Sequence, residues 1–284
     1  MRDQIFQQIY DEERALYGLR DTDVVGCTFA GEADGESALK ECRGVKAHNC
    51  KFSLRYPLWH AKDFLLSDSS MELTARAPMW YTEKGTIRHS VIDGVKALRE
   101  CDDTLVEDSV IHSPEFGWKC RGVKIRRSFI ESEYLFFECR DVEITELTMK
   151  GKYSFQYVEN MTIEHSVLDT KDAFWHAKNV TVTDSVVRGE YLGWFSEGLT
   201  LINCRIEGTQ PLCYCKNLRL INCTMEGTDL SFEYSDVNAD VKGEILSVKN
   251  PRSGNIVADS IGEIVTDGAV METDCRIELR QHIS

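Results

Sequence analysis

The sequence predicts an all-β fold, a single-stranded right-handed parallel β-helix of about ten 19-residue coils, and three observations predict it. First, ALKECRGVKAHNCKF, AFWHAKNVTVTDSVV, LGWFSEGLTLINCRI and PLCYCKNLRLINCTM superpose without gaps. The small residue before each turn recurs as Cys42, Ala61, Thr82, Cys101, Cys120, Cys139, Val158, Ala177, Ser196, Cys215 and Tyr234, and every step is 19 except the 21 from Ala61 to Thr82. Second, two residues later, ten of eleven positions are Gly, Asn or Asp, the types that tolerate a left-handed backbone, which marks one tight bend per coil. Third, the apolar pair that follows alternates with polar residues, as in Val180 and Val182 or Leu199 and Leu201. That is strand periodicity.

The remaining columns complete a triangular coil. A second inward pair runs from Cys50, Ser69, Ser90, Ser109 and Ser128 to Cys204 and Cys223, with Phe52, Met71, Ile92, Ile111 and Ile130 two residues on. The last side is aromatic, with Trp59, Trp80, Trp118, Phe137, Trp175 and Trp194 expected inward. No coil buries its apolar face alone, so coils stack at strand spacing, about 4.8 Å. A leucine-rich repeat matches part of the pattern, but its period is longer and the leftover segment here carries Gly and aromatics rather than a helix.

A single domain over 1–284 is expected, with an N-terminal cap and first coil over 1–37, regular coils over 38–242 and a C-terminal cap over 243–284. Gln4 to Tyr17 reads as a short helix and Gly243 to Val265 as irregular strands, both shielding strand edges from association.

Composition narrows the partners. A net charge of −14 repels nucleic acid and anionic membranes, so neither is expected. No apolar run approaches a membrane span, and MRDQIFQQIYDEER lacks the apolar stretch of a secretory signal. Eleven cysteines, an odd number, read as reduced buried thiols, and the expected location is cytoplasmic.

The 19-residue coils resemble the pectin-lyase-like superfamily. DEERALYGLRD, ADGESALKEC and SVKNPRSGNIVADSIGE resemble one uncharacterised bacterial family within it, a domain of unknown function whose members have at times carried a hydrogenase label. The resemblance implies the β-helix and no established activity. With no Cys-x-x-Cys pair, nothing in the sequence supports a nickel–iron or iron–sulfur site.

Candidate chemistry lies on the aromatic side, where strand alternation leaves two outward columns. One holds Phe136, Phe155 and Phe174; the other holds His60, Tyr81, Glu100, Lys119, Glu138, Tyr157, His176, Phe195 and Tyr214. Aromatic strips bind sugar rings, and glycosidases use carboxylate pairs. Glu100, Glu138 and His176 are therefore the candidate catalytic residues. His60, Tyr81, Lys119, Phe136, Phe155, Tyr157, Phe174 and Tyr214 are the candidate ligand contacts. Two carboxylate–His–carboxylate runs, Asp68-His89-Asp108 and Glu146-His165-Asp184, read as solvated turns with alternating charge. The column Cys101, Cys120, Cys139 reads as small inward residues in a line, not ligands converging on a point. No metal and no cofactor are expected. The functional expectation is binding, with hydrolysis or isomerisation left open, of a carbohydrate-like small molecule along the aromatic face. The alternative is a non-enzymatic scaffold that meets another protein chain or a second copy there.

Overall fold

The computed structural model describes residues 2–281, all in strands, turns and bends with no helix. The chain is an all-β parallel solenoid of about 15 turns. It falls into two compact units, Met1–Glu143 and Ile144–Ser284.

In the first unit, each strand pairs in parallel with its counterpart one coil on: Lys46 with Leu65, Leu65 with Thr86, Thr86 with Leu105, Leu105 with Lys124. Val24, Ala47, Leu66, Ile87, Val106 and Ile125 line one inner wall, all at most 2% exposed. Phe29, Phe52, Met71, Ile92, Ile111 and Ile130 line another, all 0% exposed. The second unit repeats the plan, with Met161, Val180 and Leu199 in one register.

The left-handed bends sit where Gly, Asn and Asp recur. Gly44, Asp63, Lys84, Asp103, Gly122, Asp141, Asn160, Asn179, Gly198 and Asn217 all have positive φ. One such residue per coil was expected, and the structure has several. The turn column Asn49, Asp68, His89, Asp108 and Arg127 is left-handed, and so are residues on the aromatic side. Polar side chains satisfy these bends from inside. The Ser109 hydroxyl donates to the Glu107 carbonyl at 2.8 Å and accepts the Ser90 N–H at 3.1 Å. Ser69, Ser90, Ser128, Ser166 and Ser185 donate likewise to the carbonyl two residues back.

The expected N-terminal helix is absent. Asp3–Phe6 and Ile9–Tyr10 are strands, paired 19 residues on with Thr22–Val25 and Thr28–Phe29. Tyr10 stacks on Phe29 and Phe29 on Phe52, so this segment is a coil of the solenoid rather than its cover. The next coil conceals the repeat, because Asp23 pairs with Lys46, 23 residues later. At the other end, Asp236–Lys249 and Ser253–Val265 are also parallel coils, in a 17-residue step from Asp236 to Ser253. Turns at both ends thus raise the count above ten.

Candidate functional site

On the aromatic side the chain makes left-handed turns where a strand was expected. Phe155, Tyr157, Phe174, His176, Phe195, Leu212 and Tyr214 have φ between 55 and 63°. A left-handed residue at every second position breaks the in–out alternation of a strand. Phe136, Phe155 and Phe174, expected outward among the ligand contacts, are therefore core residues at 0–1% exposure. Phe155 stacks on Phe174 at 5.0 Å. Phe136 meets Phe116 edge to face at 6.0 Å, and a Cβ on Gly117 would strike the Phe136 ring at 2.3 Å. The tryptophans, expected inward, are half-buried instead.

In the first unit, the exposed column holds His60, Tyr81, Glu100, Lys119 and Glu138. His60 and Tyr81 stack at 4.9 Å, beside Trp59 on Trp80 at 5.4 Å. The Arg99 guanidinium lies 5.0 Å from the Trp80 ring and 5.7 Å from the Trp118 ring, continuing the tryptophan stack as a cation–π sandwich. Glu100 lies 3.6 Å from Arg99 Nε, and Lys119 Nζ lies 3.7 Å from Glu138. Glu100 bonds through its N–H to Trp118 O, and Lys119 through its N–H to Phe137 O, so Lys119 stands one coil from each glutamate. Both carboxylates are 42–46% exposed with cations beside them, an arrangement that supplies no desolvated acid.

In the second unit, four rings form a ladder: Tyr157 on His176 at 4.9 Å, His176 on Phe195 at 5.1 Å, and Phe195 on Tyr214 at 4.9 Å, all within 12° of parallel. Tyr157 is 48% and Phe195 44% exposed. Behind them Trp175 stacks on Trp194 at 5.4 Å. Indole N–H groups fix this second row: Trp175 donates to Tyr191 O at 2.7 Å and Trp194 to Gln210 O at 2.8 Å. Burial, and then Glu233, raises the Tyr214 phenol above its usual range. Because the rings cover one another's faces, Tyr157, His176 and Phe195 form the exposed part of the ladder, while the Tyr214 hydroxyl donates to Glu233 at 3.5 Å.

Two features escaped the sequence reading. Asp172 is 6% exposed, and burial raises its carboxyl above the usual range. Its column neighbours Tyr153 and Tyr191 give no hint of an acid there. In the first unit, His112 Nδ1 lies 2.8 Å from Asp93 Oδ1, and His112, Ser113, Pro114, Glu131, Ser132 and Glu133 line a cavity of about 470 Å³. The alternation Asp93, His112, Glu131 at 19-residue spacing was the available signal.

The other polar columns, and His48 beside them, bond to neighbours within the coils. His89 lies 3.7 Å from Asp108, whose carboxyl is held below its usual range by Arg127. Asp184 accepts from the Asn203 amide at 2.9 Å. His48 Nδ1 contacts both Ser67 Oγ at 3.0 Å and Asp68 at 3.2 Å, and one nitrogen shared by both is not the relay of a catalytic triad. The Cys120 and Cys139 sulfurs accept the Cys101 and Cys120 N–H groups, and burial pushes the Cys101 and Cys120 thiols well up. Among the described residues no group of three or more His, Cys, Asp or Glu is placed to hold a metal ion, and no helix is long and apolar enough to cross a membrane.

A family model described as "Protein of unknown function (DUF3737)" matches residues 3–278. A search of curated proteins finds no match. Among solved structures, PfbA, a surface adhesin of Streptococcus pneumoniae, is similar over 97% of this chain and 84% of its own, at 6% identity and a TM-score of 0.40. The catalytic domain of a GH87 alpha-1,3-glucanase in complex with nigerose is similar over 99% of this chain and 63% of its own, at 10% identity and a TM-score of 0.42. HetL, a pentapeptide repeat protein of the cyanobacterium Nostoc sp. Strain PCC 7120, is similar over 78% and 92% respectively, at 9% identity and a TM-score of 0.34. Likenesses this distant carry no weight for activity.

Proposed function

This chain belongs to the DUF3737 family, a family of unknown function, and we propose that it is a non-catalytic binding protein for an extended carbohydrate-like chain. The four-ring ladder Tyr157, His176, Phe195, Tyr214 carries the reading. It is an exposed surface that repeats every 4.9–5.1 Å, and an extended glycan advances by a similar step per sugar. Each ring edge would meet one sugar, with His176 and the Tyr157 hydroxyl supplying hydrogen bonds. Covered ring faces make each contact weak, so affinity has to accumulate over several units. The test is calorimetric titration with glucan oligomers of increasing length. Affinity rising with length, and lost in Phe195→Ala, supports the reading; equal indifference to monomers and long oligomers of every glycan tried sinks it.

A second reading, a contact for another protein chain, is favoured by Phe195, whose apolar edge is 44% exposed with no hydrogen-bonding group of its own. It expects a larger assembly that Phe195→Glu splits. Neither reading uses Glu100, Glu138 or His176 as catalysts. With either, the coil is taken as right-handed and pectin-lyase-like, and the chain as cytoplasmic; ten buried free thiols support that compartment.

A further inference from the structure

Coils of the second unit set a charge beside each ring of the ladder. His176 and Lys178 flank the inward Ala177, Phe195 and Glu197 flank Ser196, and Tyr214 and Lys216 flank Cys215. The three inward residues are 1% exposed, whereas Lys178, Glu197 and Lys216 are exposed. Lys178 stands in register with Glu197, and Glu197 with Lys216. The Glu197 N–H donates to Ala177 O at 2.8 Å and the Lys216 N–H to Ser196 O at 2.9 Å, so the backbone fixes this column alongside the rings.

Opposite charges facing one another on adjacent strands normally pair. They do so in the first unit, where Lys62, Glu83, Asp102 and Arg121 likewise stand two residues after the exposed column. There Lys62 Nζ lies 2.5 Å from Glu83, and Arg121 Nε lies 3.5 Å from Asp102. Glu197 has a lysine one coil to either side. Yet among the described residues none of Lys178, Glu197 and Lys216 forms an ion pair or a side-chain hydrogen bond. In a chain of net charge −14, two lysines left without a carboxylate beside stacked rings are open to an outside anion.

Spacing narrows the ligand. Lys178 and Lys216 stand two coil steps apart, about 9.6 Å, with Glu197 between them. Successive rings of an extended β-linked glycan flip over, so the same edge faces a protein at every second sugar. A glycan laid along the ladder at one sugar per coil brings equivalent edges to Lys178 and Lys216, and the opposite edge to Glu197.

We propose that the ladder selects an alternating glycan, with a carboxylate or sulfate on every second sugar and an uncharged sugar between. The inference rests on the carbohydrate reading above and names the class of chain. Lys178 and Lys216 each take one anion. Glu197 accepts hydrogen bonds from hydroxyls or an amide N–H of the sugar between, and repels an anion there. A neutral glycan forgoes both lysines, and one charged on every sugar meets Glu197.

The test is calorimetric titration of the full chain with three hexasaccharides. Hyaluronan alternates glucuronate with N-acetylglucosamine, chitin is N-acetylglucosamine throughout, and oligogalacturonate carries a carboxylate on every sugar. Exposed ion pairs are weak, so each lysine is expected to contribute about threefold and the two together about tenfold. The hyaluronan hexamer is therefore expected to bind about tenfold tighter than the chitin hexamer at low salt, the gap closing as salt is added. Lys178→Met and Lys216→Met are each expected to weaken hyaluronan about threefold and leave chitin unchanged. Glu197→Gln is expected to strengthen oligogalacturonate. Thermal melting checks that the variants remain folded. Equal affinity for hyaluronan and chitin, both lost in Phe195→Ala, overturns this inference and leaves the ladder reading standing. Tightest binding of oligogalacturonate overturns it too, as does hyaluronan binding untouched in both lysine variants. Binding of none of the three, or binding that survives Phe195→Ala, sinks the ladder reading and this inference with it.

Discussion

The His176 imidazole lies 5.1 Å from the Phe195 ring, with the two planes 8° apart. One coil back, Tyr157 covers its other face at 4.9 Å. An imidazole held between two rings is fixed in orientation, in a residue that stays exposed. Replacing it with alanine removes both ring contacts, each worth about 0.5–1.5 kcal/mol. His176→Ala is expected to lose about 1 kcal/mol of stability and to bind a long glycan oligomer roughly tenfold more weakly. Stability loss with unchanged titration would show that the ladder is structural only.

Phe155 and Phe195 look alike in the sequence and should behave in opposite ways. Phe155 is 0% exposed and Phe195 44%. Phe155→Glu places a carboxylate in the core, and even truncation of a buried phenylalanine costs about 3–5 kcal/mol. That variant is expected to be unfolded or insoluble, with circular dichroism as the check. Phe195→Glu is expected to melt within a few degrees of the native chain. A soluble, native-like Phe155→Glu protein would contradict the burial assignment.

This pair also shows what the sequence could reveal. Inner walls such as Leu66, Ile87 and Val106 were legible because strand alternation and the 19-residue step agree there. The aromatic side was not, because left-handed turns at bulky residues such as Phe174 and His176 leave no Gly or Asn to announce them. Strand alternation extended across those turns points Phe174 outward and Trp175 inward, the reverse of their burial. The N-terminal coil is hidden in the sequence because a 23-residue coil stands between it and the regular repeats. Asp172 gains its character from burial alone, which composition does not encode.

Gly208 should tolerate no side chain. Its φ is +123°, and a Cβ there would sit 1.9 Å from the Gly189 carbonyl oxygen. The obstacle is backbone of the adjacent coil, which cannot rotate away. Gly208→Ala is expected to cost more than about 2 kcal/mol, read as a lower midpoint in urea. A neutral effect would require the two coils to stand further apart than in this structure.

Acid should loosen the charged ladders before it affects the core. Lys51, then Ser53, holds Glu72 below the ordinary 4.5; Lys62 does the same for Glu83. Arg127 holds Asp108 below the ordinary 3.8. A carboxylate with a lowered folded value binds its proton more weakly folded than unfolded. Its contribution is therefore complete above the unfolded value and is lost as pH falls through the folded one. Thermal stability is expected to be level above about pH 5 and to drop below the ordinary carboxylate range, with Lys62→Met showing a shallower acid limb. An identical acid limb in that variant would remove Glu83 from the account.

The inward serine column offers the sharpest test of what holds the bends. Ser109 accepts the buried Ser90 N–H at 3.1 Å and donates to Glu107 O at 2.8 Å. Alanine would leave the Ser90 N–H unpaired inside the coil, at about 1–3 kcal/mol for a buried orphan, while the Glu107 carbonyl keeps the His89 N–H at 3.3 Å. Cysteine should do better, because Cys204 fills the same column one unit further on and reaches the Ile202 carbonyl at 3.3 Å. Ser109→Ala is expected to cost about 2 kcal/mol and Ser109→Cys about half as much, measured by urea denaturation. If alanine were tolerated and cysteine were not, size rather than hydrogen bonding would govern the column. The presence of both serine and cysteine along it would then need another cause.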